Sequence, residues 1–279
     1  MNYEHILYEM DGPILRLTCN RPRYRNSQSR RLLEELDHAF TRAGHDDDVH
    51  VIVLMGAGDH FSAGHDLGTP EELADRQQRP YQEGVRGRFE RTREIHVEMT
   101  LRWRNVPKPT IAAVQGYCIF GGWMIASAMD FIFASDDAMF LGANFQYFSI
   151  PWDIHPRKAK EILYASRFID AQEALELGLV NRVIPRERLL AETMDYANLV
   201  AQNDPFQLRM IKMAVNQQQD GQGFASHLTA AHTMHILSAV GESDPDYALK
   251  KPQGRRRPMV QRAFENYTAH RQQQRDDRS

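Results

Sequence analysis

The fold is decided by two short segments, FSAGHDL at residues 61–67 and KPTIAAVQGY at residues 108–117, the second of which leads into Phe120-Gly121-Gly122. The first follows an apolar run that predicts a buried strand, and the second opens an apolar helix. Each turn can present one backbone N–H, from His65 and from Gly121, because glycine lets a ligand approach the main chain without a Cβ in the way. Two converging donors, one of them at a helix N-terminus, stabilise negative charge on a carbonyl oxygen. The two segments together predict an oxyanion-binding site.

Around these turns, strand-like and helix-like patterns alternate along the chain. Two short apolar runs flank Asp11-Gly12, a dipeptide typical of a β-hairpin. Apolar residues recur at helical spacing between Leu32 and Ala43, and from Arg157 onward the pattern is almost entirely helical. This alternation predicts an α/β core over residues 1–200 and a helical C-terminal region over residues 201–279. Further strands are predicted at Val49–Met55, Thr110–Val114, Phe131–Ala134 and Val180–Ile184.

The composition is that of an ordinary soluble globular protein. Of the 279 residues, 42% are hydrophobic and 25% are charged, and 34 basic against 37 acidic side chains give a net charge of -3. This near-balance argues against a dedicated nucleic-acid or membrane-surface protein. The segment from Lys250 to Ser279 is a basic tail, with nine Lys or Arg against three acidic residues. It is predicted to be mostly a solvated face, with the alternative that some of its cations meet a phosphate group.

Several features bear on the compartment. Cys19 and Cys118 form no C-x-x-C motif, so the sequence predicts neither a disulfide framework nor a zinc site, and it indicates a reduced, cytoplasmic setting. The first twelve residues lack the apolar stretch of a signal peptide. Ile111–Met129 runs for nineteen residues without a charge, close to the length of a membrane span. Gln115 and three glycines interrupt it, so we predict a strand, a turn and a buried helix there instead of a membrane segment.

These motifs resemble the crotonase (enoyl-CoA hydratase/isomerase) superfamily. The matching elements are the AG-x-D turn at residues 63–66, the KP-x-IAAV-x-G strand at residues 108–116 and the Gly121-Gly122 turn. Further matches follow at residues 138–140, 150–151 and 171–181, so the resemblance covers roughly residues 3–250.

The resemblance implies a spiral core of repeated ββα turns and a helical trimerisation region, assembled as a homotrimer or a dimer of trimers. It implies that an acyl-CoA thioester binds with its carbonyl oxygen between the N–H groups of His65 and Gly121, and that coenzyme A arrives as part of the substrate, so that no separate cofactor is needed. The His65 imidazole is expected to be incidental. The positions expected to contact or surround the substrate are Ser62, Ala63, Asp66, Leu67, Trp123, Trp152 and Lys250.

The sequence departs from the family where the hydratases carry their two glutamates. The first of these positions falls on Met124 and the second on Asn144. Methionine cannot move a proton, and asparagine can only orient a water or a carbonyl. No Asp or Glu lies between Asp137 and Asp153, so a small shift in alignment restores neither glutamate. Ordinary two-glutamate hydration is therefore not expected.

Asp153 is the alternative acidic group. It falls within one residue of a position where dienoyl-CoA isomerases and aryl-CoA dehalogenases keep a catalytic aspartate, which moves a proton or attacks the substrate. The competing interpretation is structural: Asp153 caps the helix that begins near Arg157, or pairs with Arg157 or Lys158. His96 is a candidate base beside Asp153, and both alternatives for Asp153 stay open at this point.

The remaining polar residues favour structural interpretations. Asp66 is expected to hold its turn by accepting backbone N–H bonds, and Glu94 and Glu98 are expected on a solvated helix face. His60, His65 and Asp66 lack a convincing third neutral ligand, so no metal site is predicted. The sequence predicts an acyl-CoA enzyme, nominally an enoyl-CoA hydratase. The alternatives are an Asp153-dependent isomerase, hydrolase or substitution enzyme, and a non-catalytic acyl-CoA-binding protein; nucleic-acid binding through the tail is the weakest hypothesis.

Overall fold

The computed structural model describes residues 2–240 and 258–277 of the chain. Its strands, in chain order, are β1 (Ile6–Asp11), β2 (Ile14–Cys19), β3 (Val51–Gly56), β4 (Thr110–Val114), β5 (Tyr117–Ile119), β6 (Phe131–Ser135), β7 (Met139–Leu141), β8 (Ile169–Asp170) and β9 (Arg182–Ile184). The main sheet has the order β1-β2-β3-β4-β6-β9. The antiparallel β1–β2 pair is the hairpin predicted at Asp11-Gly12, and the later neighbours are all parallel. The predicted strands of the core are confirmed.

A second, smaller sheet pairs β5 with β7 in parallel and β7 with β8 antiparallel. This sheet was not predicted from the sequence, because its strands have only two or three residues, too few to show an alternation of apolar and polar positions.

The helices that the structure describes surround these sheets. They are α1 (Arg30–Gly44), α2 (Pro70–Gln78), α3 (Gly84–Thr92), α4 (Met99–Arg104), α5 (Gly121–Ser127), α6 (Ile150–Asp153), α7 (Pro156–Ala165), α8 (Ala171–Glu176), α9 (Leu189–Ala201), α10 (Pro205–Gly221), α11 (Phe224–Val240) and α12 (Pro258–Asp276). A π-helical turn, Arg93–Glu98, joins α3 to α4. The division of the chain at residue 200 stays a prediction, although α9 ends at Ala201.

The charged stretch after Thr69 forms two helices, α2 and α3, which are separated by residues 79–83, a segment that contains Pro80. The last described helix, α12, continues through Asp276. It places Phe264 and Tyr267 against the small sheet, next to Phe168.

The topology brings the two glycine turns together. β3 and β4 are parallel neighbours, so the loops that follow them leave the same edge of the main sheet. The span Ile111–Met129 contains most of β4, followed by β5 and α5, so the predicted strand and buried helix are confirmed, whereas β5 stands where a turn was predicted. No helix within residues 2–240 and 258–277 is long and apolar enough to cross a bilayer.

Candidate functional site

The two predicted turns lie side by side and are joined by main-chain hydrogen bonds. Ser62 N donates to Tyr117 O over 2.9 Å, and Ile119 N donates to Ser62 O over 3.0 Å. Gly64 has a φ of +85°, and a Cβ built on it would lie 2.7 Å from Ile119 O and 3.2 Å from Gly121 N. Only glycine therefore fits this close approach.

The amides of His65 and Gly121 are both unpaired. Among the residues that the structure describes, neither N–H donates to a protein acceptor. Gly121 is the first residue of α5, where the helix leaves its leading N–H groups without intrahelical acceptors. The preceding residue, Phe120, takes a φ of +48°, which is uncommon for a non-glycine residue. Two free donors on adjacent loops can bind one anionic oxygen if both point to it.

A buried ion pair fixes the first loop. The Asp66 carboxylate accepts from Arg21 Nη1 over 2.8 Å, from the Thr69 hydroxyl over 2.6 Å, and from the amides of Gly68 and Thr69. The prediction that Asp66 holds its turn is therefore confirmed. Burial alone would raise the pKa of Asp66, but the hydrogen bonds from Thr69, Gly68 and Arg21 hold it below its usual value.

A cavity of about 760 Å³ opens beside the first loop. Ala63, Asp66 and Leu67, three of the residues predicted to contact the substrate, line it together with His65, and Val260 brings α12 to its rim. Its size is that of an ordinary small-molecule site. Arg23 and Arg25 supply positive charge at its wall.

Two of the residues predicted to contact the substrate, Ser62 and Lys250, are not among the described residues that line this cavity. Ser62 is fully buried, and its hydroxyl donates to Asn26 O and accepts from Gly64 N, so it supports the loop and presents no surface to a ligand. Lys250 lies outside the described residues.

Asp153 lies with both predicted tryptophans away from this cavity. Its Oδ2 accepts from Trp123 Nε1 and from the Ser149 hydroxyl, each over 3.1 Å. Trp123 has no exposed surface, whereas Trp152 and Asp153 line a separate cavity of about 570 Å³ between α10 and β6. Burial raises the pKa of Asp153 to about 6.

The structural contacts predicted for Asp153 are not the ones that it makes. The capping residue of α7 is His155, whose ring accepts from Arg157 N, and Lys158 pairs with Glu161. Asp153 makes its contacts in the opposite direction, toward α5.

Neither of the family's two glutamate positions supplies a carboxylate here. Met124 is fully buried in the core. Asn144 is exposed, and it is its backbone carbonyl that accepts a hydrogen bond, from His235 Nδ1 over 2.7 Å. The side chain that reaches His65 from this loop belongs to Gln146, two residues further on, which no motif marked in the sequence.

The His65 imidazole has defined contacts, contrary to expectation. Its Nδ1 lies 3.1 Å from Gln28 Oε1 and its Nε2 lies 3.0 Å from Gln146 Oε1. The ring stacks on that of His96, with centroids 3.9 Å apart. Gln28, like Gln146, was not identified from the sequence. Burial lowers the pKa of both imidazoles, and that of His96 well below its usual value.

The remaining candidates are structural. His60 stacks on Tyr117 at 4.3 Å. Glu94 and Glu98 form ion pairs with Arg102 and Arg93, in keeping with the predicted solvated face. Within the described ranges, no cluster of three His, Cys, Asp or Glu side chains could hold a metal ion.

Comparison with known proteins places this geometry in a family. The enoyl-CoA hydratase/isomerase family matches residues 9–241. EchA13 of Mycobacterium tuberculosis, which carries a provisional enoyl-CoA hydratase name, is 38% identical over 257 residues, covering 85% of this chain and 81% of the relative.

Solved structures agree. A Mycobacterium smegmatis protein, provisionally named an enoyl-CoA hydratase, is 42% identical with a TM-score of 0.77, over 84% of this chain and 93% of its own. An enoyl-CoA hydratase/isomerase from Xanthobacter autotrophicus Py2 is 32% identical with a TM-score of 0.78, over 88% and 90% of the two chains. The α/β architecture with its C-terminal helical region is thus the crotonase fold, and the chain belongs to the enoyl-CoA hydratase/isomerase family.

Proposed function

We propose that this protein binds an acyl-CoA thioester in the cavity beside the first loop and stabilises an enolate-like oxyanion with the amides of His65 and Gly121. The observation that carries the proposal is the pair of unpaired N–H groups on two loops held in direct contact. Such preorganised donors need no rearrangement as charge develops on the thioester oxygen.

The cavity supports the ligand class. It is large enough for part of a coenzyme A ester, and Arg23 and Arg25 add positive charge that suits its phosphates. Coenzyme A enters as part of the substrate, so no further cofactor is proposed.

The nominal reaction is that of an enoyl-CoA hydratase, an activity of the lyase class. Met124 and Asn144 supply neither of the carboxylates that would add water across the double bond. An Asp153-dependent isomerisation, hydrolysis or substitution is the second candidate, favoured by the pKa of Asp153 near 6, which suits proton transfer close to neutral pH. Its position on a different cavity from His65 weighs against it.

The function is tested by binding and turnover together. Calorimetric titration with crotonyl-CoA should show binding that free crotonate does not, and turnover should be measured on a panel of short, long, aromatic and ring-bearing acyl-CoA esters. Hydratase activity that survives Asp153→Asn rules out the aspartate mechanism. Binding without turnover on the whole panel favours a non-catalytic acyl-CoA-binding protein, and absence of acyl-CoA binding refutes the proposal.

The proposal includes a homotrimer or a dimer of trimers. The two long helices α10 and α11 expose large apolar side chains, which in a soluble monomer would be costly to leave in water. Ile211 is 60% exposed and Leu237 is 71% exposed. The others on these helices are Phe206, Met210, Met213, Val215, Met234 and Val240. A second copy of the chain is the partner we propose for this surface.

A further inference from the structure

We infer that His96 is the proton acceptor of this site, with His65 as the residue that positions it, so that an imidazole carries out the proton transfer for which the family's carboxylates are missing. The inference rests on the proposed binding of an acyl-CoA thioester, and it names the reaction class: proton transfer at the carbon next to the thioester carbonyl.

The first observation is an orphaned polar atom. His96 is 7% exposed, and its Nδ1 is buried without a hydrogen-bond partner in the part of the chain that the structure describes. Buried polar groups in folded proteins are nearly always paired, so one that is not calls for an explanation in function or in a ligand. An atom that is to receive a proton from a ligand must be free of protein partners, as this one is.

The second observation is the local backbone. His96 stands in the π-helical turn Arg93–Glu98, which interrupts the helical run between α3 and α4. Such turns are rare and concentrate at functional sites, because they displace a side chain from its regular helical position. The carbonyl of His96 remains paired, since the Thr100 hydroxyl donates to it over 2.7 Å.

The third observation is proximity to the free amides. A Cβ built on Gly121 would lie 2.8 Å from the His65 ring, and that ring stacks on His96 at 3.9 Å. Gly121, the His65 ring and the His96 ring are therefore successive neighbours, and the unpartnered imidazole stacks on the residue whose amide is proposed to bind the thioester oxygen.

His65 itself is held too firmly to be the acceptor. Both ring nitrogens of His65 contact a glutamine side chain, Nδ1 that of Gln28 and Nε2 that of Gln146, so neither is free to take a proton from a ligand. Gln28 is itself held in place, because its Nε2 donates to Gly121 O over 2.8 Å. The two glutamines fix the plane of the His65 ring, and the stacked His96 ring takes its orientation from that plane.

The electrostatics keep His96 neutral and ready to accept. Burial is the main cause of its lowered pKa, and the charged or titratable groups that act on it are His65 from the first loop, Arg91 from α3, and His232 and His235 from α11. Each of these groups disfavours a positive charge on His96. When a negative oxygen forms nearby, protonation of His96 becomes favourable, because the imidazolium and the enolate then stabilise each other.

The chemical step balances without any co-reactant. His96 Nδ1 takes a proton from the α-carbon, the electron pair of the broken C–H bond forms the enolate double bond, and the carbonyl π pair moves to the oxygen held by the two amides. Return of the proton to the α-carbon regenerates the thioester. Return to the γ-carbon of an unsaturated acyl group gives the double-bond isomer.

The experiment is α-proton exchange of butyryl-CoA in D2O, measured by mass spectrometry. This saturated ester cannot be hydrated, so the assay isolates proton transfer. The wild type is expected to incorporate deuterium, and His96→Gln, which keeps the size and polarity, is expected to slow incorporation by about 10²- to 10⁴-fold. His50→Gln is the matched control, since His50 is half-buried and contacts Ala201 O over 3.3 Å, away from the site, and it should stay within about threefold of the wild type.

Two further measurements separate the possible failures. Butyryl-CoA affinity and circular dichroism should be the same for His96→Gln as for the wild type, which excludes a folding defect. The acid limb of the exchange rate against pH should persist in Asp153→Asn and be absent in His96→Gln. Exchange at the wild-type rate in His96→Gln, or bound butyryl-CoA with no exchange in the wild type, overturns the inference. Absence of binding in the wild type overturns the proposed function and the inference with it.

Discussion

The substitution Asp66→Asn tests whether the ion pair behind the first loop stabilises the fold and fixes the His65 amide. Asparagine keeps the shape of aspartate, and its Oδ1 can still accept from the amides of Gly68 and Thr69. Its NH2 group, however, replaces the oxygen that faces Arg21 Nη1 and the Thr69 hydroxyl. A donor then meets donors in a place where both members of the original pair are buried.

The magnitude follows from the burial of this pair. The side chains of Arg21 and Asp66 are 2% and 1% exposed, and removing one partner of a buried ion pair typically costs about 3–5 kcal/mol. Arg21 keeps a second carboxylate, since Glu71 lies 2.8 Å away with its side chain 48% exposed. We therefore expect Asp66→Asn to lower the unfolding free energy by about 3 kcal/mol, the lower end of that range.

The assay is urea unfolding followed by circular dichroism at a fixed protein concentration. The control is Glu90→Gln, which removes an exposed ion pair with Arg86 on α3 and should cost less than about 0.5 kcal/mol. The pKa of Asp66 is lower in the folded protein than in the unfolded chain, so its contribution is present above the unfolded pKa and is lost as the pH falls through the folded pKa. The difference in unfolding free energy between the wild type and Asp66→Asn should therefore disappear at low pH.

The variant should also lower acyl-CoA turnover by more than the control does, because the amide that we propose to bind the oxyanion belongs to the adjacent residue, His65. A destabilisation no larger than that of Glu90→Gln at neutral pH would refute the reasoning, since the ion pair would then hold nothing in place.

Three other expectations follow from the same geometry. Gly64→Ala should abolish acyl-CoA binding in calorimetry and lower the unfolding free energy by more than about 1–2 kcal/mol. The control is Gly178→Ala, since Gly178 has a similar φ of +77° and open space around it. This control should lose only the unfolding free energy that the left-handed backbone conformation costs an alanine, and it should leave binding intact. Because burial raises the pKa of Asp153 to about 6, ionisation of this carboxyl opposes folding above that pH. Asp153→Asn should therefore raise the unfolding free energy near pH 8 by about 1–3 kcal/mol, with the gain vanishing below about pH 4 in urea titrations. The double substitution Ile211→Asp and Leu237→Asp should convert a homo-oligomer into monomers in light scattering; a wild type that is already monomeric contradicts the proposed assembly.

The features that could be predicted from the sequence are those that follow from the periodicity of apolar residues and from the order of parallel strands. The hairpin at Asp11-Gly12 and the buried strands carry clear apolar patterns, and the meeting of the two glycine turns follows because β3 and β4 are neighbours. The small sheet was missed because the pairing of β5, β7 and β8 depends on tertiary contacts, including those of α12, more than on local pattern.

The side chains around the site were harder to predict, because their roles depend on which distant residues they meet. Gln28 and Gln146 are far apart in sequence, yet both contact the His65 ring. Asp153 had the right chemistry and a plausible alignment, but the direction of its side chain, toward Trp123 and Ser149, is set by the short helix α6. Alignment identifies a position in the chain and leaves the direction of its side chain undetermined.

The contrast between Asp153 and His96 shows why burial alone does not identify a catalytic group. Burial opposes the charged form of both, raising the pKa of the acid and lowering that of the base. Asp153 nevertheless has its hydrogen-bond donors already in place, from Trp123 and Ser149, so a substrate would have to compete with them. Among the described residues, His96 Nδ1 has no such competitor, and an anion formed beside it would favour its protonation. A reaction that creates negative charge at the two amides supplies that anion, which is why the orphaned nitrogen and the unpaired N–H groups make chemical sense together.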